Sequence, residues 1–69
     1  MPLTFPTLAE QCRDRFLTSK KTVSLSTLAR RMKAQREDDY PRRIFIFEDD
    51  TRLVLTGTGR SLKIEAQLP

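Results

Sequence analysis

Eight side chains in this sequence suit a polyanion or a flat base: Arg30, Arg31 and Lys33 in one short run, and Arg43, Phe45, Phe47, Arg52 and Lys63 farther along. A guanidinium presents a planar fork that matches phosphate oxygens, and a lysine ammonium adds a compact point charge. Phenylalanine rings offer apolar faces on which bases stack. Cations framing aromatics on a strand surface are the means by which sheets hold single-stranded nucleic acid.

The remaining reactive groups point away from catalysis. The chain has no histidine, so the commonest general base is missing, and its single cysteine, Cys12, has no partner base in view. A thiol on an apolar helix stripe reads as a small core residue. One cysteine and no histidine also leave no internal disulfide and no zinc site. The acidic runs Glu37-Asp38-Asp39 and Glu48-Asp49-Asp50 lack the alternating spacing and following glycine of a calcium loop, and read as solvated turn and helix-end charges. Gly57-Thr58-Gly59-Arg60-Ser61 has the glycines of a phosphate cradle. Such a cradle joins a strand to a helix N-terminus, however, and this run joins two strand-like segments, so it reads as a hairpin turn. No catalytic residue, metal, cofactor or small-molecule substrate is expected.

Positioning these residues takes two helices and a sheet. Thr7-Leu8-Ala9-Glu10 matches a capping box, and Leu8, Cys12 and Phe16 recur at helical spacing, which predicts a first helix over residues 7–18. Met1 to Pro6 is a lead-in broken by Pro2 and Pro6, and Thr18 to Thr22, with Lys20-Lys21, is a polar connector. Ser24 or Ser26 caps a second helix whose Leu25, Leu28, Ala29 and Met32 form the apolar stripe and which ends near residue 37 or 38. Ser26-Thr27-Leu28-Ala29-Arg30-Arg31-Met32 resembles the first helix of a helix-turn-helix unit. The likeness stops there, because Asp38-Asp39-Tyr40-Pro41 leads into strands and no recognition helix follows.

From Arg42 to Leu68 the pattern predicts three strands in a meander. Ile44-Phe45-Ile46-Phe47 and Leu53-Val54-Leu55 flank Asp49-Asp50, and the alternating Leu62, Ile64, Ala66 and Leu68 follow Thr58-Gly59. Two-residue loops at Asp49-Asp50 and Thr58-Gly59 set Leu53 opposite Ile46 and Ile64, Leu55 opposite Ile44 and Leu62, Arg52 opposite Glu65 and Thr56 opposite Ser61. The second face then carries Arg43, Phe45, Phe47, Arg52, Val54, Lys63 and Glu65. Three fates are open for its aromatics: core beneath a helix, contact with a second subunit or another protein, or a stacking platform for single-stranded nucleic acid. The expected fold is α+β, two N-terminal helices followed by a three-stranded antiparallel β-meander (ααβββ), as a single small domain over 1–69.

Composition sharpens the partner question. At 69 residues with 38% hydrophobic content the core is small, and below roughly 70–80 residues many chains need a staple or a partner. A homodimer or a protein partner is therefore expected. The net charge is +4, and its distribution is uneven: residues 1–34 hold seven Lys/Arg against two Asp/Glu, residues 35–69 six against seven. The basic character belongs to the helical half, where phosphate contact competes with an ordinary solvated helix face. No run approaches the ~20 apolar residues of a membrane span, and the N-terminus lacks a charged-then-apolar signal pattern, so a cytoplasmic setting without membrane contact is expected. The sequence thus reads as a non-enzymatic regulatory module whose basic surface binds nucleic acid. Its rival is a protein-binding accessory factor or inhibitor acting through the sheet face or helix 2.

Overall fold

Helix α1 (Leu8–Thr18) begins at the capping box. The Glu10 amide donates to Thr7 Oγ1 at 3.3 Å, and the Thr7 amide donates to the Glu10 carboxylate at 3.2 Å. Ala9, Cys12 and Phe16 form its buried stripe. A computed structural model describes residues 3–20 and 22–69. Met1 and Pro2 of the lead-in and Lys21 of the connector lie outside the described residues.

Ser24 caps α2 (Leu25–Arg31), its Oγ accepting from the Thr27 amide at 3.1 Å. The helix stops well short of residue 37. Lys33 takes φ +61°, the Ala34 amide donates to the Ala29 carbonyl at 2.9 Å, and the Lys33 amide donates to the Arg30 carbonyl at 3.0 Å. Those two bonds form a Schellman ending, which closes the helix on its own carbonyls.

The residues released by that ending form a strand. β1 (Gln35–Asp39) pairs antiparallel with β2 (Arg42–Ile46) across Tyr40-Pro41, whose peptide bond is cis. β3 (Arg52–Thr56) and β4 (Lys63–Gln67) complete one antiparallel sheet of order β1-β2-β3-β4. Two helices are therefore followed by four strands, and the three-stranded expectation is corrected; the α+β class stands. All five residues of β1 are exposed, so no apolar alternation marks it in the sequence. A charged edge strand of this kind is held by its backbone ladder and discourages further pairing.

The register also differs from the expectation, and the turns explain why. Between β2 and β3 the loop has three residues, not two: the Phe47 amide donates to the Thr51 carbonyl and the Asp50 amide to the Phe47 carbonyl, both at 2.9 Å, with Asp50 at φ +67°. Asp49 builds this turn by accepting from the Thr51 amide at 3.0 Å. The extra residue slides β2 by one position, so Leu53 faces Phe45 instead of Ile46, and Arg52 faces Ile46. A one-residue slip reverses the faces of a strand. Between β3 and β4 a longer loop containing a 3-10 turn (Gly59–Ser61) shifts the pairing by two. Leu53 then faces Ala66 instead of Ile64, Arg52 faces Gln67 instead of Glu65, and Thr56 faces Lys63 instead of Ser61. A shift of two keeps the faces of β4 as expected. Gly57, at φ +86°, cannot carry a side chain there, since a Cβ would lie 2.6 Å from the Ser61 carbonyl oxygen.

The core is a single layer between helices and sheet. Phe45, Phe47, Leu53 and Leu55 meet Ala9, Cys12 and Phe16 of α1 and Leu25 and Ala29 of α2, with Leu62, Ile64 and Ala66 at its edge. Ile44 and Ile46 face the other way, as does Val54, on a sheet face that no helix covers. The four N-terminal amides of α1 are all satisfied. Thr7 and Glu10 bond each other, the Leu8 amide donates to Asp49 Oδ2 at 2.9 Å, and the Ala9 amide donates to Thr51 Oγ1 at 3.1 Å. Thr51, fully buried, in turn donates its hydroxyl hydrogen to Asp49. The β2–β3 turn thereby fixes where α1 starts over the sheet.

Candidate nucleic-acid interface

The eight side chains singled out by the sequence fall into three groups. Phe45 and Phe47 are 4% and 2% exposed, packed under the helices, so they cannot serve as a stacking surface. Arg43 shares their face of the sheet and lies at its margin, where its Nη2 donates to the Gly57 carbonyl at 3.5 Å. Arg52 and Lys63 lie on the opposite, helix-free face. The third group is the end of α2: Arg30 and Arg31 are exposed in its last turn, and Lys33 is exposed just beyond it.

Only that third group gathers charge. The carbonyl end of a helix favours cations, so α2 supports positive charge at its C-terminus. Among the described residues the ion pairs are Arg13–Asp14, Arg36–Asp38 and Arg42–Asp39, and none involves Arg30, Arg31 or Lys33. Lys20 of the connector is exposed; its neighbour Lys21 lies outside the described residues.

Arg36 joins this group. It lines a cleft of about 380 Å³ with Ser26, Arg30, Ala34 and Phe45, between α2 and the sheet. Its Nε donates to the Asp38 carboxylate at 3.0 and 3.2 Å, and its guanidinium stands 5.9 Å from the centre of the Phe45 ring. The hydrogen bond to Asp38, with the attraction of that carboxylate, pushes the Arg36 pKa up. A second helix ending near residue 37 or 38, as the pattern predicts, would have placed Arg36 on α2 and not on β1. No sequence signal marks the change: the left-handed turn that ends α2 falls on Lys33, which is not a glycine.

Cys12 is buried in the core cluster, and that burial pushes its thiol up to about 11 against the pull of Arg15. It is therefore protonated near neutral pH, a poor nucleophile. Among the described residues no group of three or more His, Cys, Asp or Glu side chains is placed to hold a metal ion. No helix among them is long and apolar enough to cross a membrane. Comparison with protein-family models, curated proteins and solved structures gives no match.

Proposed function

We propose that the protein is a small non-enzymatic regulatory module that binds nucleic acid through phosphate contacts from the end of α2. The observation that carries this reading is the concentration of Arg30, Arg31 and Lys33, none engaged in an ion pair among the described residues, beside an Arg36 that shares a cleft with Arg30. Each phosphate neutralised by such a cation releases condensed counterions, which gives affinity without sequence preference. Replacing Arg30, Arg31 and Lys33 together by glutamine is expected to weaken oligonucleotide binding for all sequences. It should also flatten the plot of log affinity against log salt by ~0.7–0.9 per lost contact. Thermal stability should hold, because all three side chains are exposed. A variant that binds like the parent protein would remove this surface from the account.

A second reading has its own support. The helix-free sheet face centres on Ile44, Ile46 and Val54, with Val54 only 7% exposed, and its rim mixes Glu37 and Glu65 with Arg52 and Lys63. An apolar centre with a rim of both signs suits a protein surface better than a phosphate backbone. On that reading the protein is an accessory factor, or a homodimer, joined through the sheet.

A further inference from the structure

The cleft shared by Arg30 and Arg36 has a neighbour. A second concavity, about 520 Å³, begins at the same arginine and runs along the β1–β2 hairpin to its tip, lined by Arg36, Asp38, Tyr40, Arg42, Arg43 and Gly57. Arg36 is common to both, so the two concavities adjoin at this residue and together mark a track from α2 to the hairpin tip. Tyr40 lies four positions beyond Arg36, about 13 Å at the usual rise of a strand.

At the far end stands Tyr40, 95% exposed, the most exposed large hydrophobic side chain among the described residues. Asp38 is paired with Arg36 at 3.0 Å and Asp39 with Arg42 at 3.4 Å, while Glu37, the third acidic residue of β1, shares the helix-free face with Ile44. Set against Arg30, Arg36, Arg42 and Arg43, those two carboxylates leave a surplus of positive charge along the track. All four paired side chains are about half exposed or more, and exposed pairs of this kind are weakly held, so a phosphate competes for the arginines. An aromatic ring at the end of an arginine-lined channel is the pattern that takes a single strand: phosphates follow the cations and an unstacked base lies on the ring. A duplex has no free base face to offer.

We infer that this track binds single-stranded nucleic acid, with Tyr40 as the residue on which a base stacks and Arg36, Arg42 and Arg43 as its phosphate contacts. The inference rests on the phosphate-binding reading above and narrows it to single strands. It also moves the stacking role from the buried Phe45 and Phe47 to a residue on the opposite end of the β1–β2 hairpin from the helix-facing core.

The chain has one tyrosine and no tryptophan, so its intrinsic fluorescence reports Tyr40 alone. Titrating the intact protein with short oligothymidine and oligouridine is expected to quench that emission in step with binding, followed independently by anisotropy of a labelled strand. The two polymers separate DNA from RNA as the source of the strand. A duplex should bind without quenching. Tyr40→Ala is expected to lower single-strand affinity roughly tenfold or more while leaving duplex affinity unchanged, and Tyr40→Phe should retain the parent value. If the alanine variant fails to fold, the parent protein's own quenching decides the matter. Saturable single-strand binding with unchanged Tyr40 emission overturns the stacking role. When, in addition, the glutamine variant of Arg30, Arg31 and Lys33 has lost binding, the phosphate reading survives and only the track is wrong. No binding at low salt removes both.

Discussion

Alanine in place of Phe45 or Phe47 is expected to cost ~3–5 kcal/mol of folding stability, enough to bring the protein close to unfolding. A chain of 69 residues has about 3–10 kcal/mol in all, at 0.05–0.15 kcal/mol per residue. Both rings sit in the hydrophobic core, and Phe45 lies opposite Leu53 with the Arg36 guanidinium 5.9 Å from its ring centre. Nothing on the helix-free face replaces what is lost there, because Ile44, Ile46 and Val54 point away from the core. Urea denaturation followed by circular dichroism gives the midpoint shift. A variant that keeps its midpoint but loses oligonucleotide affinity would mean that these rings are on the surface, contrary to the packing described.

The second large effect is expected at the link between α1 and the β2–β3 turn. Thr51→Val keeps the shape of a fully buried side chain but removes the acceptor of the Ala9 amide and the donor to Asp49, at ~1–3 kcal/mol for the unsatisfied groups. Asp49→Asn keeps the shape of the turn but removes a charge that accepts from the Leu8 and Thr51 amides. The two changes touch one network, so their combined effect should fall short of the sum. Acid should act on the same link. Partial burial raises the Asp49 carboxyl, but the hydrogen bonds from the Leu8 amide and from Thr51 outweigh it, and the net shift is below its ordinary value of 3.8. A depressed carboxyl in the folded state stabilises the protein above the unfolded value, and that contribution disappears as pH falls through the folded one. The gap in urea midpoint between the parent and Asp49→Asn should therefore be widest near neutral pH and close on acidification below ~4. A gap that widens in acid would contradict the hydrogen bonding assigned to Asp49.

Much of this fold is legible where local chemistry decides it. The Thr7–Glu10 capping box, a serine cap on α2 (Ser24, one of the two serines the pattern allowed) and the apolar alternation of Leu62, Ile64 and Ala66 all act within a few residues, and each is present. What was not legible depends on backbone choices that polar residues conceal. Lys33 in a left-handed conformation ends α2, and Asp50 in the same conformation adds a residue to the hairpin loop. Neither residue announces it as a glycine would. The second of these choices turned Ile44 and Ile46 outward and Phe45 and Phe47 inward, because Ile-Phe-Ile-Phe is apolar on both faces and fits either register. β1 was hidden for a third reason: Gln35-Arg36-Glu37-Asp38-Asp39 has no apolar face, and only its ladder to β2 reveals a strand. The candidate site followed these errors. Arg30, Arg31 and Lys33 were found from charge alone, whereas Arg36 and Tyr40 emerge only once β1 and its hairpin are recognised.

The surface assignment is tested most directly by amide chemical-shift mapping of the intact protein during titration with a short single-stranded oligonucleotide at low salt. If the proposed surface binds the strand, the perturbed amides should run from Arg30, Arg31 and Lys33 through Arg36 to Tyr40 and Arg43, while those of Ile44, Val54, Arg52 and Lys63 stay in place. Shifts concentrated on Ile44, Val54, Arg52 and Lys63, or none at all, would contradict a nucleic-acid interface at the end of α2.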